Sequence, residues 1–130
     1  MPETRHGHFH WNELNTWNVE EASGFYATTL GWDYERFPMA DGGDYVVCMS
    51  AGEPVAGIFQ IRAGMGLDDV PDHWFAYIAV DDVDARLEGV EAGGGAILRE
   101  PFDVPGVGRF SIVRDRVGAV VGWITPAPSE

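Results

Sequence analysis

Glu13, His73 and Tyr77 are the side chains best placed for acid–base chemistry or for polarising a substrate oxygen. In FHWNELNT (9–16), a two-residue period puts Phe9, Trp11 and Glu13 on one strand face, with His8 and His10 on the other. A carboxylate beside indole and phenyl rings is desolvated, which suits a general base or acid. The plainer alternative is a carboxylate paired with Arg62 or Arg114, or solvated at a rim. In HWFAYIAV (73–80), His73, Phe75 and Tyr77 share a face. Tyr77 can donate to a ligand oxygen, or its hydroxyl can find a backbone partner as half-buried aromatics do. His73 can polarise a carbonyl, or it is a rim histidine after the Pro71-Asp72 turn.

Other motifs carry less chemistry. His8 and His10 alternate within His6-Gly7-His8-Phe9-His10 and can start a metal site, but the stretch also reads as a fraying, exposed terminus. The single Cys48 lies in an apolar run and reads as a buried, inert thiol. No GxSxG elbow, P-loop or CxxC pair is present. Gly93-Gly94-Gly95 follows a helix and does not open one, so it is not a phosphate cradle.

The charge balance narrows the partners. Eight Lys plus Arg stand against 21 Asp plus Glu, a net charge of −13, which excludes the clustered cations that nucleic acids and anionic membranes require. The 130 residues suffice for one domain with both a core and a pocket. The first 25 residues are polar and rich in His and Trp, and the longest apolar stretches run for about six residues. A cytoplasmic location is therefore expected.

The elements that must position these residues come in two copies. At an offset of 64, Trp11 meets Phe75, Leu14 meets Ile78, Val19 meets Val83 and Gly31 meets Gly95. After one inserted residue the offset is 65, and Tyr45 meets Phe110, Val47 meets Ile112 and Gly57 meets Gly122. Each copy reads as strand, helix, three strands. In the first, a strand over 9–16 leads to a helix capped by Asn18, with Glu20 and Glu21 in its first turn, an apolar stripe of Ala22, Phe25, Tyr26, Thr29 and Leu30, and a stop at Gly31. Strands follow over 32–38, 44–50 and 54–61. In the second, a strand over 74–80 leads to a helix capped by Asp81 or Asp82, with Val83, Leu87, Val90 and Ala92 as its stripe. Its strands cover 96–100, 108–114 and 119–125. Turns are expected at Asp41-Gly42-Gly43, Gly52-Glu53-Pro54, Pro105-Gly106 and Val117-Gly118. Residues 1–130 thus form one domain: module one over about 6–62, a linker over 63–72, and module two over about 73–126. Pairing two such curved sheets encloses a cleft of the kind small molecules favour.

The strings FHWNELNTWNVEEASGFYATTLGW (9–32) and HWFAYIAVDDVDARLEGVEAGGGAIL (73–98) resemble the vicinal oxygen chelate superfamily, which contains glyoxalase I, bleomycin-resistance proteins and extradiol dioxygenases. The resemblance covers nearly the whole chain. It implies an α+β fold in which two βαβββ modules pair into an open, curved, eight-stranded barrel-like sheet. It also implies up to four metal ligands, one on the first and one on the last strand of each module. The matching positions here are Trp11, Gly57, Phe75 and Gly122, none of which can ligate a divalent cation through its side chain. By the same count Trp11 faces the cleft, and Gly57 and Gly122 leave room there. Trp32 and Trp123 are expected to pack in the core or at an interface.

The expected function is a glyoxalase/bleomycin-resistance-like protein that binds a small, partly aromatic molecule in an apolar cleft without the usual metal. Its ligand-binding residues would be Trp11, Glu13, Gly57, Phe75, Tyr77 and Gly122. The alternative is a lyase or isomerase of a small oxygenated metabolite. There Glu13 is the base and His73 or Tyr77 polarises a carbonyl, with a metal in non-standard geometry as a disfavoured variant. A homodimer is compatible with both, because symmetric pairs are the commonest assemblies.

Overall fold

The computed structural model describes residues 5–39 and 43–127. Asp41 and Gly42 of the expected turn lie outside the described residues. The described residues form eight strands and two helices: β1 (Phe9–Thr16), α1 (Val19–Leu30), β2 (Asp33–Pro38), β3 (Asp44–Ser50), β4 (Glu53–Gln60), β5 (His73–Ala79), α2 (Val83–Leu87), β6 (Ala96–Val104), β7 (Gly108–Arg114) and β8 (Val120–Pro126). The α+β class and the twofold strand–helix–three-strand order both follow. None of these helices is long and apolar enough to cross a membrane.

The chain divides into two compact units, Trp11–Phe75 and Met1–His10 with Ala76–Glu130. In the first, strands run in the order β2-β3-β4-β1, antiparallel except that β1 and β4 are parallel. One face of this sheet is the core. Leu14, Val19, Val46, Cys48, Ala56 and Ile58 are buried there, with Ala22, Tyr26, Trp32 and Tyr34 packed against them. Helix α1 is fixed at both ends. Asn18 Oδ1 accepts from the Glu21 N–H, and the Gln60 amide accepts from the Val19 N–H while donating to the carbonyls of Trp17 and Ile61. Gly31, at φ 76°, closes the helix in the left-handed conformation expected of a C-terminal glycine.

The second unit repeats the plan as β5-β8-β7-β6, with β5 and β8 parallel. Its core is Val80, Val83, Leu87 and Val113, flanked by Ile78, Val90, Ile97, Val121 and Trp123. Asp82 caps α2 through the Ala85 N–H. The expected helix was longer. It ends at Leu87 because Gly89 follows, and the chain continues in tighter turns in which Gly89 and Val90 donate to Arg86 and Leu87. Val90 still packs on the core, but Ala92 is exposed. Strand β6 was expected over 96–100 and instead extends to Val104. Pro101 is tolerated because β6 is the last strand in this unit's order and its register shifts between Arg99 and Phe102.

Candidate functional site

In both units the sheet face opposite the core carries the residues of interest. On β1, Leu14 and Thr16 are buried in the core, and Trp11 and Glu13 are half-buried on the other face. Phe9, of the same phase, is 68% exposed, so it does not share that half-buried setting. Across β1 and β4, Glu13 lies directly opposite Gly57, and Gly57 in turn lies opposite Val47 of β3.

Gly57 is buried, and its missing side chain is put to use. Tyr45 reaches from β3 over β4 at this glycine, so a Cβ on Gly57 would overlap the phenol oxygen and ring, with Cε2 only 2.9 Å away. On the far side, the Trp11 indole N–H donates to the Tyr45 hydroxyl at 3.0 Å. The room left by Gly57 is thus spanned by a protein side chain. Sequence reading missed Tyr45 as a site residue. The available signal was its phase, two residues from Val47, and its alignment with Phe110 in the repeat.

The second unit has the matching arrangement. Tyr77 on β5 lies opposite Gly122 on β8, and Gly122 lies opposite Ile112 on β7. The Phe110 ring from β7 meets the Tyr77 ring edge to face at 5.4 Å. Phe110 also stacks on Phe102, and the Arg99 guanidinium sits 3.6 Å over the Phe102 ring. This aromatic run was not anticipated from sequence, because it links β5, β6 and β7.

His73 and Phe75 are both half-buried, with rings 6.2 Å apart edge to face. His73 Nδ1 donates to the Pro71 carbonyl at 2.8 Å. In the neutral ring that bond places the lone pair on Nε2. Trp74, of opposite phase, belongs to an aromatic cluster with Tyr26 and Trp32, and its indole N–H donates to the Tyr26 hydroxyl.

His6, His8 and His10 are exposed, as expected, but the stretch is tied down by hydrogen bonds and does not fray. Gly7 and His8 exchange backbone bonds with Ala79, and His6 Nδ1 accepts from the Asp81 N–H. Asp81 accepts from both Nε and Nη2 of Arg86, and this hydrogen bonding holds its carboxyl down to about 2. Cys48 is fully buried, and desolvation pushes its thiol up to about 11, as expected of an inert cysteine.

The donor chemistry does not suit a divalent metal at the positions implied by the resemblance. In the first unit an indole, donating to Tyr45, and a glycine, covered by the Tyr45 ring, stand at two of them. Among the described residues, no three of His, Cys, Asp or Glu are grouped so that they could hold a metal ion.

The family model for the Glyoxalase/Bleomycin resistance protein/Dioxygenase superfamily matches residues 7–122. The chain is 36% identical over 120 residues to a Mycobacterium tuberculosis protein named "Putative glyoxylase CFP32", covering 92% of this chain and 44% of that one. It is 31% identical over 119 residues to the anthracycline biosynthesis protein DnrV of Streptomyces peucetius, covering 84% of this chain and 43% of the relative. The chain therefore spans about half the length of the curated relatives it matches. In fold it resembles methylmalonyl-CoA epimerase from Mycobacterium tuberculosis, with a TM-score of 0.65 at 16% identity over 98% of this chain and 94% of that one.

Proposed function

For a chain that belongs to the Glyoxalase/Bleomycin resistance protein/Dioxygenase superfamily, we propose a role in binding a small, partly aromatic molecule without the usual divalent metal. The proposed binding residues are Trp11, Glu13, Gly57, Phe75, Tyr77 and Gly122, with Gly57 acting through the Tyr45 side chain that it seats. The observation that carries this reading is the Trp11–Tyr45 pair over Gly57. It puts polar-tipped aromatic surface where a metal enzyme needs imidazole or carboxylate, and such surface stacks on a flat ligand while hydrogen bonding its edge. The Tyr77–Phe110–Phe102 run supplies similar surface in the other unit. Tryptophan fluorescence measured against a broad panel of aromatic metabolites and antibiotics tests the reading. Quenching by a subset is expected, and silence across the panel overturns it. Metal analysis of protein purified without a histidine tag should find well under one ion per chain, and about one per chain overturns the metal-free assignment. Sedimentation should find a homodimer, and a monomer at all concentrations removes that part.

The second reading is a lyase or isomerase acting on a small oxygenated metabolite. Its support is the Nδ1 bond of His73 to Pro71, which leaves Nε2 as the basic nitrogen of the neutral ring. Glu13 would then remove a proton next to a carbonyl, while His73 or Tyr77 stabilises the oxygen on which charge develops. Loss of turnover in Glu13→Gln with ligand affinity retained would support this reading. Full activity in that variant removes Glu13 as the base.

A further inference from the structure

Pro71 is held from both sides by one residue. The Trp17 indole N–H donates to the Val70 carbonyl at 2.8 Å, and the Trp17 backbone N–H donates to Asp72 Oδ1 at 3.3 Å. The other carboxylate oxygen, Oδ2, accepts from the hydroxyl of Thr16. Thr16 is only 1% exposed, and its oxygen also accepts from the Asn18 N–H. A buried hydroxyl left without an acceptor is costly, so the Thr16–Asp72 bond is a firm anchor. Proline adds its own fixed φ between the two anchors. The Pro71 carbonyl therefore has little freedom, and it is the group that receives the His73 Nδ1–H at 2.8 Å. Every residue of this arrangement lies within the Trp11–Phe75 unit.

We propose that Asp72, latched by Thr16 and Trp17, is a positioning residue that holds His73 in the tautomer with its proton on Nδ1 and its lone pair on Nε2. A carbonyl oxygen only accepts, so the Pro71 bond requires the proton on Nδ1. Nε2 has no hydrogen-bond partner among the described residues, and the ring is half-buried, edge to face with Phe75. The assignment rests on the lyase or isomerase reading above and divides the roles within it. Neutral His73 presents an acceptor at Nε2. It therefore meets a hydroxyl of the substrate and not a carbonyl oxygen, because two acceptors do not bond each other. The substrate class narrows to a small carbonyl compound that also carries a hydroxyl, with His73 accepting the hydrogen bond from that hydroxyl.

The test reads the His73 ring directly. Long-range proton–nitrogen correlation spectra at pH 8 separate protonated from unprotonated ring nitrogens, and His73→Gln identifies the signals. The unmodified chain should show Nδ1 protonated and Nε2 bare. In Asp72→Ala and Thr16→Val, each first shown to retain its thermal transition, the ratio of this tautomer to the other should fall about three- to tenfold, the range of one neutral hydrogen bond. Thr16→Ser keeps the hydroxyl and should restore the ratio, while His6, His8 and His10 should not move in any variant. A proton on Nε2 in the unmodified chain overturns the assignment, as does an unchanged His73 ratio in both Asp72→Ala and Thr16→Val. Equal changes at all the histidines also overturn it, because that pattern marks a general loosening. Hydroxyacetone should shift the Nε2 signal of the unmodified chain, and acetone, which lacks the hydroxyl, should leave it in place. Equal shifts from both probes, or none from either, overturn the substrate class. The tautomer is read without turnover, so its outcome stands apart from the Glu13→Gln assay that decides the lyase or isomerase reading.

Discussion

Tyr45 and Gly57 are complementary across neighbouring strands: the phenol fills the space that any Cβ at position 57 would need. Gly57→Ala must displace the tyrosine ring or the strand, and it breaks the bond to Trp11. Overpacking of this kind costs about 1–3 kcal/mol. Urea denaturation should show that loss, accompanied by a change in tryptophan emission. The double variant Gly57→Ala/Tyr45→Ala should lose less than the sum of its single variants, because the methyl no longer meets a ring. Additive losses would mean that the two residues do not compete for the same space.

Gln60 ties the start of α1 to the end of β4 through three hydrogen bonds of 2.8–3.1 Å. Gln60→Leu keeps the bulk and strips the Val19 N–H and the carbonyls of Trp17 and Ile61 of this partner. A stability loss of about 2–3 kcal/mol is expected, with α1 amides exchanging faster than those of β7. Uniform exchange across the chain would contradict the local role given to this side chain.

Cys48 gives the chain a defined alkaline response. Burial raises its thiol from 9.0 to about 11, so the folded state holds the proton more tightly than the unfolded one. Stability from this group is fully present below pH 9 and is lost as pH climbs toward 11. Urea midpoints at pH 10 should fall below those at pH 8, and Cys48→Ala should flatten this part of the profile. At pH 8 the native thiol should resist an aromatic disulfide reagent, then react once per chain in denaturant. Prompt reaction of the native protein would refute the buried placement.

Ala51 sits at φ 51° beside Gly52 at φ 82°, in the two-residue connection between β3 and β4. Tight hairpin turns of this length need positive φ, which alanine adopts only with strain. Ala51→Gly or Ala51→Asn should raise stability by about 0.5–1 kcal/mol, read as an upward shift in the thermal midpoint. A downward shift would argue that the turn does not require this conformation.

Local signals made most of the architecture legible in the sequence. The two-residue alternation in 9–16, 44–50 and 108–114 recovers β1, β3 and β7 at their observed bounds. Asn18, Gly31 and Asp82 mark helix ends because capping depends on a few adjacent atoms. The expected strand over 54–61 already held Pro54, which pairs with Met49 next to a register shift, but β4 begins one residue earlier, at Glu53, so the turn is shorter than the expected Gly52-Glu53-Pro54. The length of α2 escaped because apolar spacing continues past Gly89 after the helical bonds have stopped. For the candidate site, strand phase was legible for Trp11 and Glu13, and for His73 and Phe75. The bond between Trp11 and Tyr45 was not, since 34 residues separate them and only the register of three strands brings them together.

Tyr45 and Phe110 stand at equivalent points of the repeated plan, yet only one of them bears an oxygen. At this position the copies keep a common strand plan and differ by one oxygen. A ligand meeting either unit by itself would find that inequality as a difference in hydrogen-bonding capacity. Exchanging the pair, Tyr45→Phe with Phe110→Tyr, would move that oxygen from one copy to the other without redesigning the scaffold.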